Sequence, residues 1–315
     1  MRYTPFIAIA PMLVVCATAD AEDCQPAFAS GDQTLVINGG AIEPGGRATQ
    51  DFQVQVQNEA GALPAPDDES AEEADTIRTG RCKATIRIAR VGLIADSDFP
   101  FYSLRGPANQ QVLILPDPAS GGTAESDVFI ANVPAAPQYW AAPFQIVVPT
   151  EWGVRAGTYI DQLKLLLIDQ MGNVADHTTL TATISIPSAV SLRLVGAVVG
   201  AEGGGPARID LGELSKFTET HSDQFGARIF STAPYTVEFR SANLGHLQHE
   251  QGSKEIPYSL YFDGALVDLS ATYEIPYLEH TPRSGDSRPM RIVVPPVVAP
   301  AGRYSDRITI TVSAM

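Results

Sequence analysis

Basic side chains are scarce in this sequence. Its 21 Lys and Arg residues stand against 36 Asp and Glu residues, which gives a formal net charge of −15, and only four of the basic residues are lysines. A protein that binds nucleic acid through its general surface carries a basic face, and the sequence shows none. We therefore expect no nucleic-acid partner, and we expect anionic membranes to repel the folded chain.

Long apolar runs and long helical patterns are also lacking. Beyond the N-terminus no stretch reaches the roughly 18 apolar residues that indicate a membrane-spanning helix. Apolar and polar residues instead alternate, as in residues 52–56, 84–88 and 308–312, which is typical of half-buried antiparallel strands. Together with 26 Gly and 24 Pro in a chain that is 44% hydrophobic, this pattern predicts an all-β fold built of immunoglobulin-like β-sandwiches.

The N-terminus has the pattern of an export signal. Arg2 is the only early charge, residues 6–17 are apolar, and small-residue cleavage sites end at Ala19 or Ala21. This order predicts a secretory signal peptide over residues 1–21. Cys16 within the apolar stretch leaves a lipoprotein signal as an alternative, although Val15 before it is larger than that motif accepts.

Removal of the signal leaves two of the three cysteines, Cys24 and Cys82. Because an exported chain enters an oxidising compartment, the two are predicted to form a disulfide. Closing a loop of this length stabilises a protein by roughly 4 kcal/mol in the chain-entropy model. A two-ligand metal site is the alternative, but no nearby histidine supplies the other ligands.

The chain contains one internal repeat. Each copy gives a strand, a loop, an Ala-Gly-x-Tyr-x-Asp corner and a second strand; the matching segments are 143–149 with 289–295, 156–167 with 301–312 and, more faintly, 100–104 with 257–260. The repeat predicts two domains after the signal, an N-terminal sandwich at 22–187 and a C-terminal sandwich at 188–315. Pro187 at the join should interrupt strand pairing.

The two copies end differently. The N-terminal copy continues through a turn at 169–173 into a further strand at 179–186, whereas the C-terminal copy stops at Met315. A missing strand leaves an open apolar slot, which a strand from another chain can fill by β-augmentation. The predicted slot walls are the alternating apolar residues of the first and last strands: Val190, Leu192, Leu194, Ile308, Ile310 and Val312. A permuted but complete sandwich is the alternative.

The C-terminal copy resembles the spore coat U domain family, which occurs in archaic chaperone–usher pilins. The resemblance covers about 125 residues and lies in the order and spacing of short motifs: 209–214 (IDLGEL), 231–239 (STAPYTVEF), 245–249 (GHLQH), 256–260 (IPYSL), Asp263-Gly264 and 301–306 (AGRYSD). In the N-terminal copy only the last strands match.

The resemblance implies a set of partners. Members of this family lack a final strand, are held by a periplasmic chaperone and polymerise through an outer-membrane usher, each slot receiving the N-terminal strand of an adjacent pilin subunit. Here, cleavage near Ala21 leaves about two residues before Cys24, so this chain would accept a strand but have almost nothing to donate. The expected role is therefore a tip adhesin at the cell surface, anchored through its C-terminal domain and bound by its N-terminal domain to an unknown surface or receptor.

Strand polarity places the loops at 58–81, 132–142 and 169–177 at the pole far from the join. The loop at 132–142 is apolar and aromatic, and its candidate adhesive residues are Pro137, Tyr139 and Trp140. Such side chains on an exposed loop indicate contact with a partner. Packing of Tyr139 and Trp140 back onto the core is the alternative. The acidic loop at 67–75 lacks the ligand spacing of a calcium site and is interpreted as a solvated loop.

Catalytic and cofactor motifs are not evident. The five histidines show no metal-ligand pattern, the glycine loop at 203–205 lacks the helix and lysine of a phosphate site, and no nucleophile elbow occurs. We therefore predict no enzymatic activity, no cofactor and no metal. Two further functions remain open: a secreted structural or coat protein without an usher pathway, and a periplasmic carbohydrate-binding module, which would need a concave aromatic face.

Overall fold

A computed structural model describes residues 24–60, 82–92, 94, 98–118, 127–200, 206–252 and 254–315. The predicted signal peptide, the acidic loop at 67–75 and the glycine loop at 203–205 lie outside these residues. The described chain is all-β, as the sequence predicts, with a single 3₁₀ turn at Pro107–Asn109. It contains no helix long and apolar enough to cross a membrane.

The N-terminal sandwich is formed by two sheets that enclose one hydrophobic core. Its strands are β1 (Pro26–Phe28), β2 (Gln33–Asn38), β3 (Arg47–Asn58), β4 (Ala84–Arg90), β5 (Ser103–Arg105), β6 (Gln111–Val112), β7 (Ile114–Leu115), β8 (Val128–Ile130), β9 (Trp140–Pro149), β10 (Gly157–Asp169) and β11 (Val174–Ile186). One sheet has the order β1-β3-β9-β5-β6, and the other has the order β2-β11-β10-β4-β7, with β8 paired to β4. Every second side chain of the long strands faces the core.

The C-terminal sandwich has a second, separate core. Its strands are β12 (Val190–Gly196), β13 (Thr220–His221), β14 (Phe225–Ser231), β15 (Tyr235–Ser241), β16 (His246–His249), β17 (Glu255–Pro257), β18 (Ser259–Phe262), β19 (Ala265–Val267), β20 (Tyr273–Tyr277), β21 (Asp286–Val294), β22 (Tyr304–Ser305) and β23 (Ile308–Ala314). The sheets are β12-β14-β21-β18-β19, with β13 paired to β21, then β20-β15-β23, and β17-β16-β22.

The repeated Ala-Gly-x-Tyr-x-Asp motif has the same geometry in both sandwiches. The Tyr159 hydroxyl donates to the Arg155 carbonyl at 2.8 Å, and the Tyr304 hydroxyl donates to the Pro300 carbonyl at 3.1 Å. A tyrosine bonded to the backbone four residues upstream is the tyrosine corner of immunoglobulin-like sandwiches. The motif therefore fixes how the chain enters the last strand shared by the two copies.

The aspartate of each motif accepts a hydrogen bond from a second tyrosine. Tyr102 donates to Asp161 at 2.5 Å, and Tyr258 donates to Asp306 at 2.6 Å. These tyrosines occupy matching positions in the faint sequence echo, at 100–104 and 257–260. Burial, followed by the hydrogen bond to the carboxylate, raises the pKa of both phenols above the ordinary value of 10.

Thr232 joins the two sandwiches. It is fully buried, and its hydroxyl donates to the Pro187 carbonyl and accepts from the Ala189 N–H, both at 2.9 Å. Its backbone N–H donates to Ala189 at 3.0 Å, and its carbonyl accepts from the Ala156 N–H of the N-terminal sandwich at 2.6 Å. One residue thus holds the short linker and both sandwiches.

Side-chain contacts reinforce this joint. The Trp152 ring packs on Phe230 with 5.6 Å between ring centroids, and Glu151 forms an ion pair with Arg283. Gly153, at φ +93°, lies so close to Arg283 that a Cβ atom would be 2.8 Å from its backbone. The sequence placed Trp152 near the join, and the structure has it in this contact.

Candidate functional site

The two sandwiches differ in one strand position. In the N-terminal sandwich, β11 lies between β10, to which it runs antiparallel, and β2, to which it runs parallel. In the C-terminal sandwich β23, the counterpart of β10, pairs with β15 on one side. No strand of the described residues pairs with its other side. We call this open position beside β23 the acceptor groove.

The structure brings three of the six predicted wall residues into this groove. All six are half-buried, pack against the second core, and stand on β12 and β23, which are edge strands of different sheets. Leu194, Ile308 and Ile310 line a groove of about 1090 Å³. Val190, Leu192 and Val312 lie outside that lining, nearer the joint.

β12 and β23 approach each other closely beside the groove. Some of their Cα atoms are within 8 Å of each other, whereas two strands with a third between them stand about 9.6 Å apart at the usual spacing. A strand inserted along the full length of β23 must therefore separate the two edges where they are closest. The wide part of the groove lies farther from the joint.

Residues 206–214 form a groove wall that the sequence analysis did not identify as one. Ala207, Ile209 and Leu211 alternate inward along an extended segment that lines the groove. Among the described residues, its only backbone–backbone bonds are the pair between Arg208 and Val199, at 3.0 and 2.8 Å. The alternation is visible in the sequence, where residues 209–214 belong to the motifs of the family resemblance.

Residues 299–306 form the opposite wall, which depends on Gly302. This residue has φ +151°, and a Cβ atom on it would lie 2.0 Å from Nε2 of the buried His249. Nδ1 of His249 accepts from the Gln251 N–H at 3.1 Å, so the neutral ring donates through Nε2 to the Ala301 carbonyl, 3.3 Å away. The ring also packs edge-on against Tyr304.

The candidate adhesive loop lies at the pole far from the joint. Pro137 and Tyr139 are exposed, Tyr139 to 51%, whereas Trp140 begins β9 opposite Val56 and packs partly against the core. Tyr139 is therefore exposed, as the hypothesis of an adhesive loop requires. Trp140 is closer to the alternative, in which the side chain packs back onto the core. Met171, in the turn between β10 and β11, is also exposed at this pole.

Buried Asn58 holds the adhesive loop in place. Its N–H donates to Pro134 at 2.8 Å, and its carbonyl accepts from Ala136 at 3.1 Å. Its side-chain oxygen accepts from the N–H groups of Gln25 and Ala60, at 2.8 and 3.3 Å. The loop is therefore anchored at both ends of the Pro134–Ala136 stretch.

The predicted disulfide between Cys24 and Cys82 is confirmed, with 5.0 Å between the two Cα atoms. The Cys82 carbonyl also accepts from the Val133 N–H at 2.8 Å. The disulfide therefore ties the start of the N-terminal sandwich to the base of the adhesive loop.

Metal chemistry has no visible support in the described ranges. Within them, no group of three or more His, Cys, Asp or Glu side chains is arranged to hold a metal ion. His246 and His249 stand on the short strand β16, and of these two histidines only His249 is buried.

No family model matches the chain, and no curated protein matches it. Several solved structures do. One is the complex of the chaperone CsuC with the tip subunit CsuE from the archaic chaperone–usher Csu pili of Acinetobacter baumannii. The two sequences are 12% identical, the match covers 90% of this chain and 98% of that chain, and the TM-score is 0.41. A second is CfaE, the adhesive subunit of CFA/I fimbria of enterotoxigenic Escherichia coli, at 11% identity over 90% of this chain and 98% of that chain, with a TM-score of 0.35. A third is the CupB6 tip adhesin of Pseudomonas aeruginosa, at 12% identity over 91% of this chain and 94% of that chain, with a TM-score of 0.34.

Proposed function

We propose that this chain is a tip subunit of a chaperone–usher pilus of the spore coat U type. In this proposal, the N-terminal sandwich contacts a surface or receptor, and the C-terminal sandwich joins the fibre by accepting a strand. Its partners would be a periplasmic chaperone, an outer-membrane usher and an adjacent pilin subunit that donates the strand. The chain would be exported through the periplasm to the cell surface and would have no enzymatic role.

The filled strand position in one sandwich and the open one in the other carry this proposal. In the N-terminal sandwich, β11 buries Leu180, Ala182 and Ile184 between β10 and β2. By the repeat, a donated strand would lie between β23 and residues 206–214, antiparallel to the first and parallel to the second. The groove already presents an apolar floor for it, including Phe225, Leu260 and Ile292.

A grafted strand tests the acceptor groove in the full chain. Residues 171–186, appended after Met315, supply the turn and β11 in the register that the repeat predicts, with Leu180 beside Ile308. Each Leu or Ile so buried contributes roughly 1.5–3 kcal/mol. We expect the graft to raise the melting temperature of the C-terminal sandwich and its resistance to protease.

The matched control carries the same graft with Leu180 and Ile184 of the appended copy changed to Asn. It keeps the length and backbone but loses the apolar side chains, so it should melt like the parent chain. If both grafts melt alike, the groove does not accept a strand in this register, and the secreted structural or coat protein becomes the leading function. A chaperone gene and an usher gene beside this one would support the pilus.

The adhesive loop is tested separately. Tyr139→Ala removes an exposed ring and should lower attachment of fibre-bearing cells at least tenfold without changing the melting temperature. Trp140→Ala, in contrast, removes core packing and should cost stability. Unchanged attachment of the Tyr139 variant would remove this loop from the proposed binding surface and leave the groove result standing.

A further inference from the structure

The outer face of the sheet containing β3, β9 and β5 carries a shallow trough with a mixed polar and apolar lining. Its volume is about 580 Å³, within the range of small-ligand sites. The trough lies on the N-terminal sandwich, away from the acceptor groove. Its lining includes Asp51, Gln53, Arg105, Asn109, Pro143 and Gln145.

Three neighbouring strands place one row of polar side chains across this trough. Asp51 pairs with Gln145, and Gln145 pairs with Arg105, so the three lie side by side on one face. Gln145 Nε2 donates to Asp51 Oδ1 at 2.8 Å. At the other end, Arg105 Nη1 donates to Asn109 Oδ1 at 2.7 Å. The row is therefore ordered by its own hydrogen bonds.

The charges at the ends of the row stand apart from opposite charges in the described part of the chain. Among the described residues, neither Asp51 nor Arg105 has an oppositely charged group within 4.0 Å. Two strand spacings, roughly 9.6 Å, separate their strands. A ligand that bridges them must offer a donor to the carboxylate and an acceptor to the guanidinium.

The turn that carries Asn109 has an uncommon backbone. Ala108 and Asn109 have φ values of +56° and +63°, and they are consecutive non-glycine residues in the left-handed region. Alanine adopts this conformation only under steric strain, and such outliers cluster at functional sites. Here the turn points the Asn109 side chain at Arg105.

We propose that this trough binds a neutral oligosaccharide. A sugar hydroxyl is at once a donor and an acceptor, so one polyhydroxylated chain can satisfy Asp51, the amides of Gln53 and Gln145, and Arg105. The one negative and one positive charge cancel, and a chain with net charge −15 disfavours an anionic glycan. Pro143 provides a low apolar surface between the amides.

This inference goes beyond the proposed pilus role, because the trough would bind sugar whether or not the C-terminal groove accepts a strand. It also differs from the carbohydrate-module hypothesis of the sequence analysis, which required a concave aromatic face. Phe52 and Phe144 below the trough are buried in the core. Recognition would instead use amides and a balanced pair of charges.

The purified full chain tests the proposal on an array of neutral oligosaccharides built from hexoses, N-acetylhexosamines and deoxyhexoses. Sialylated and uronate-containing glycans on the same array provide the anionic comparison. We expect binding to at least one neutral glycan, reduced tenfold or more by Arg105→Ala and by Asp51→Asn. Thr158→Ala, on the outer face of the other sheet, is the matched surface control and should bind like the parent.

Asn109→Gly separates a loss of glycan binding from a loss of stability. Glycine suits φ +63°, so this variant should melt no lower than the parent while losing the contact to Arg105 and several-fold in glycan binding. Absence of neutral-glycan binding, binding to anionic glycans alone, or binding that all three trough variants leave unchanged would each overturn the proposal. None of these outcomes depends on the strand-graft result.

Discussion

At the scale of single residues, Gly302 shows why the corner of the C-terminal sandwich requires glycine. Its positive φ and the contact with His249 are two separate obstacles to a side chain. Gly212 faces only the first obstacle, because it has φ +68° and nothing within 4 Å of its missing Cβ. Substitutions at Gly302 and Gly212 therefore separate the cost of backbone strain from the cost of a steric clash.

We expect Gly302→Ala to lower the free energy of unfolding by about 2–4 kcal/mol, and Gly212→Ala to lower it by about 1 kcal/mol. Urea denaturation of the C-terminal transition measures both. Equal losses would mean that His249 moves aside without cost.

The buried tyrosines make stability sensitive to alkali. Burial and Asp306 raise the pKa of Tyr258 above 10, and burial, followed by the Asp286 carboxylate, raises the pKa of Tyr235 to about 12. The unfolded chain loses these protons near pH 10 while the folded chain retains them. The stability they provide is therefore complete below pH 10 and is lost as the pH rises above it.

Tyr258→Phe should reduce this alkaline loss. We expect the urea midpoint of the parent to fall more steeply between about pH 9.5 and 11.5 than that of the variant, although the variant is less stable at pH 7 because Asp306 loses one hydrogen bond. Parallel pH profiles would contradict the assignment of this titration to Tyr258.

At the scale of strands, the sequence predicts much of the fold because alternation and the tyrosine corner are local. Residues 84–88 and 308–312 are in strands, and the Tyr-to-backbone bond forms within five residues of chain. The wall at 206–214 was missed because its short alternation contributed only to the family resemblance and was not interpreted as a strand. The trough was missed because Asp51, Gln145 and Arg105 become neighbours only through pairing register, which no local pattern reveals.

The missed wall makes its own prediction. In the chain with the grafted strand, Ile209→Asp places a charge beside the inserted strand and should abolish the gain in melting temperature, since an unpaired charge is costly to bury. Val195→Asp, on an exposed position of β12, should leave the gain intact. Scanning calorimetry of the two variants checks this, and an undiminished gain in the Ile209→Asp variant would place the strand elsewhere.

At the scale of the whole molecule, Thr232 couples the two cores. Thr232→Val keeps the shape but removes the hydroxyl that bonds to the Pro187 carbonyl and the Ala189 N–H, and a hydrogen bond contributes about 0.5–1.5 kcal/mol of net stability. We expect the two sandwiches then to tumble more independently, seen as shorter rotational correlation times by NMR relaxation and as a broader distance distribution in small-angle scattering.

Thr281→Val is the control for this prediction. Thr281 is also buried, and within the described ranges its hydroxyl bonds only to Ser231, in the C-terminal sandwich. It should lower stability while leaving the relative motion of the sandwiches unchanged. If both variants tumble like the parent, the joint is held by Trp152 and Arg283 rather than by Thr232.

The two strand positions, that of β11 and the acceptor groove, also differ in what sets the rate at which they are filled. β11 is tethered to β10 by a short turn, so it meets its place at a high effective concentration that belongs to the chain itself. On the proposed function, the acceptor groove fills only when another molecule arrives, so its closing rate scales with the concentration of that molecule. The N-terminal sandwich would then complete its fold at a rate set by its own chain, whereas the C-terminal sandwich would complete its fold at a rate set by the concentration of its partner.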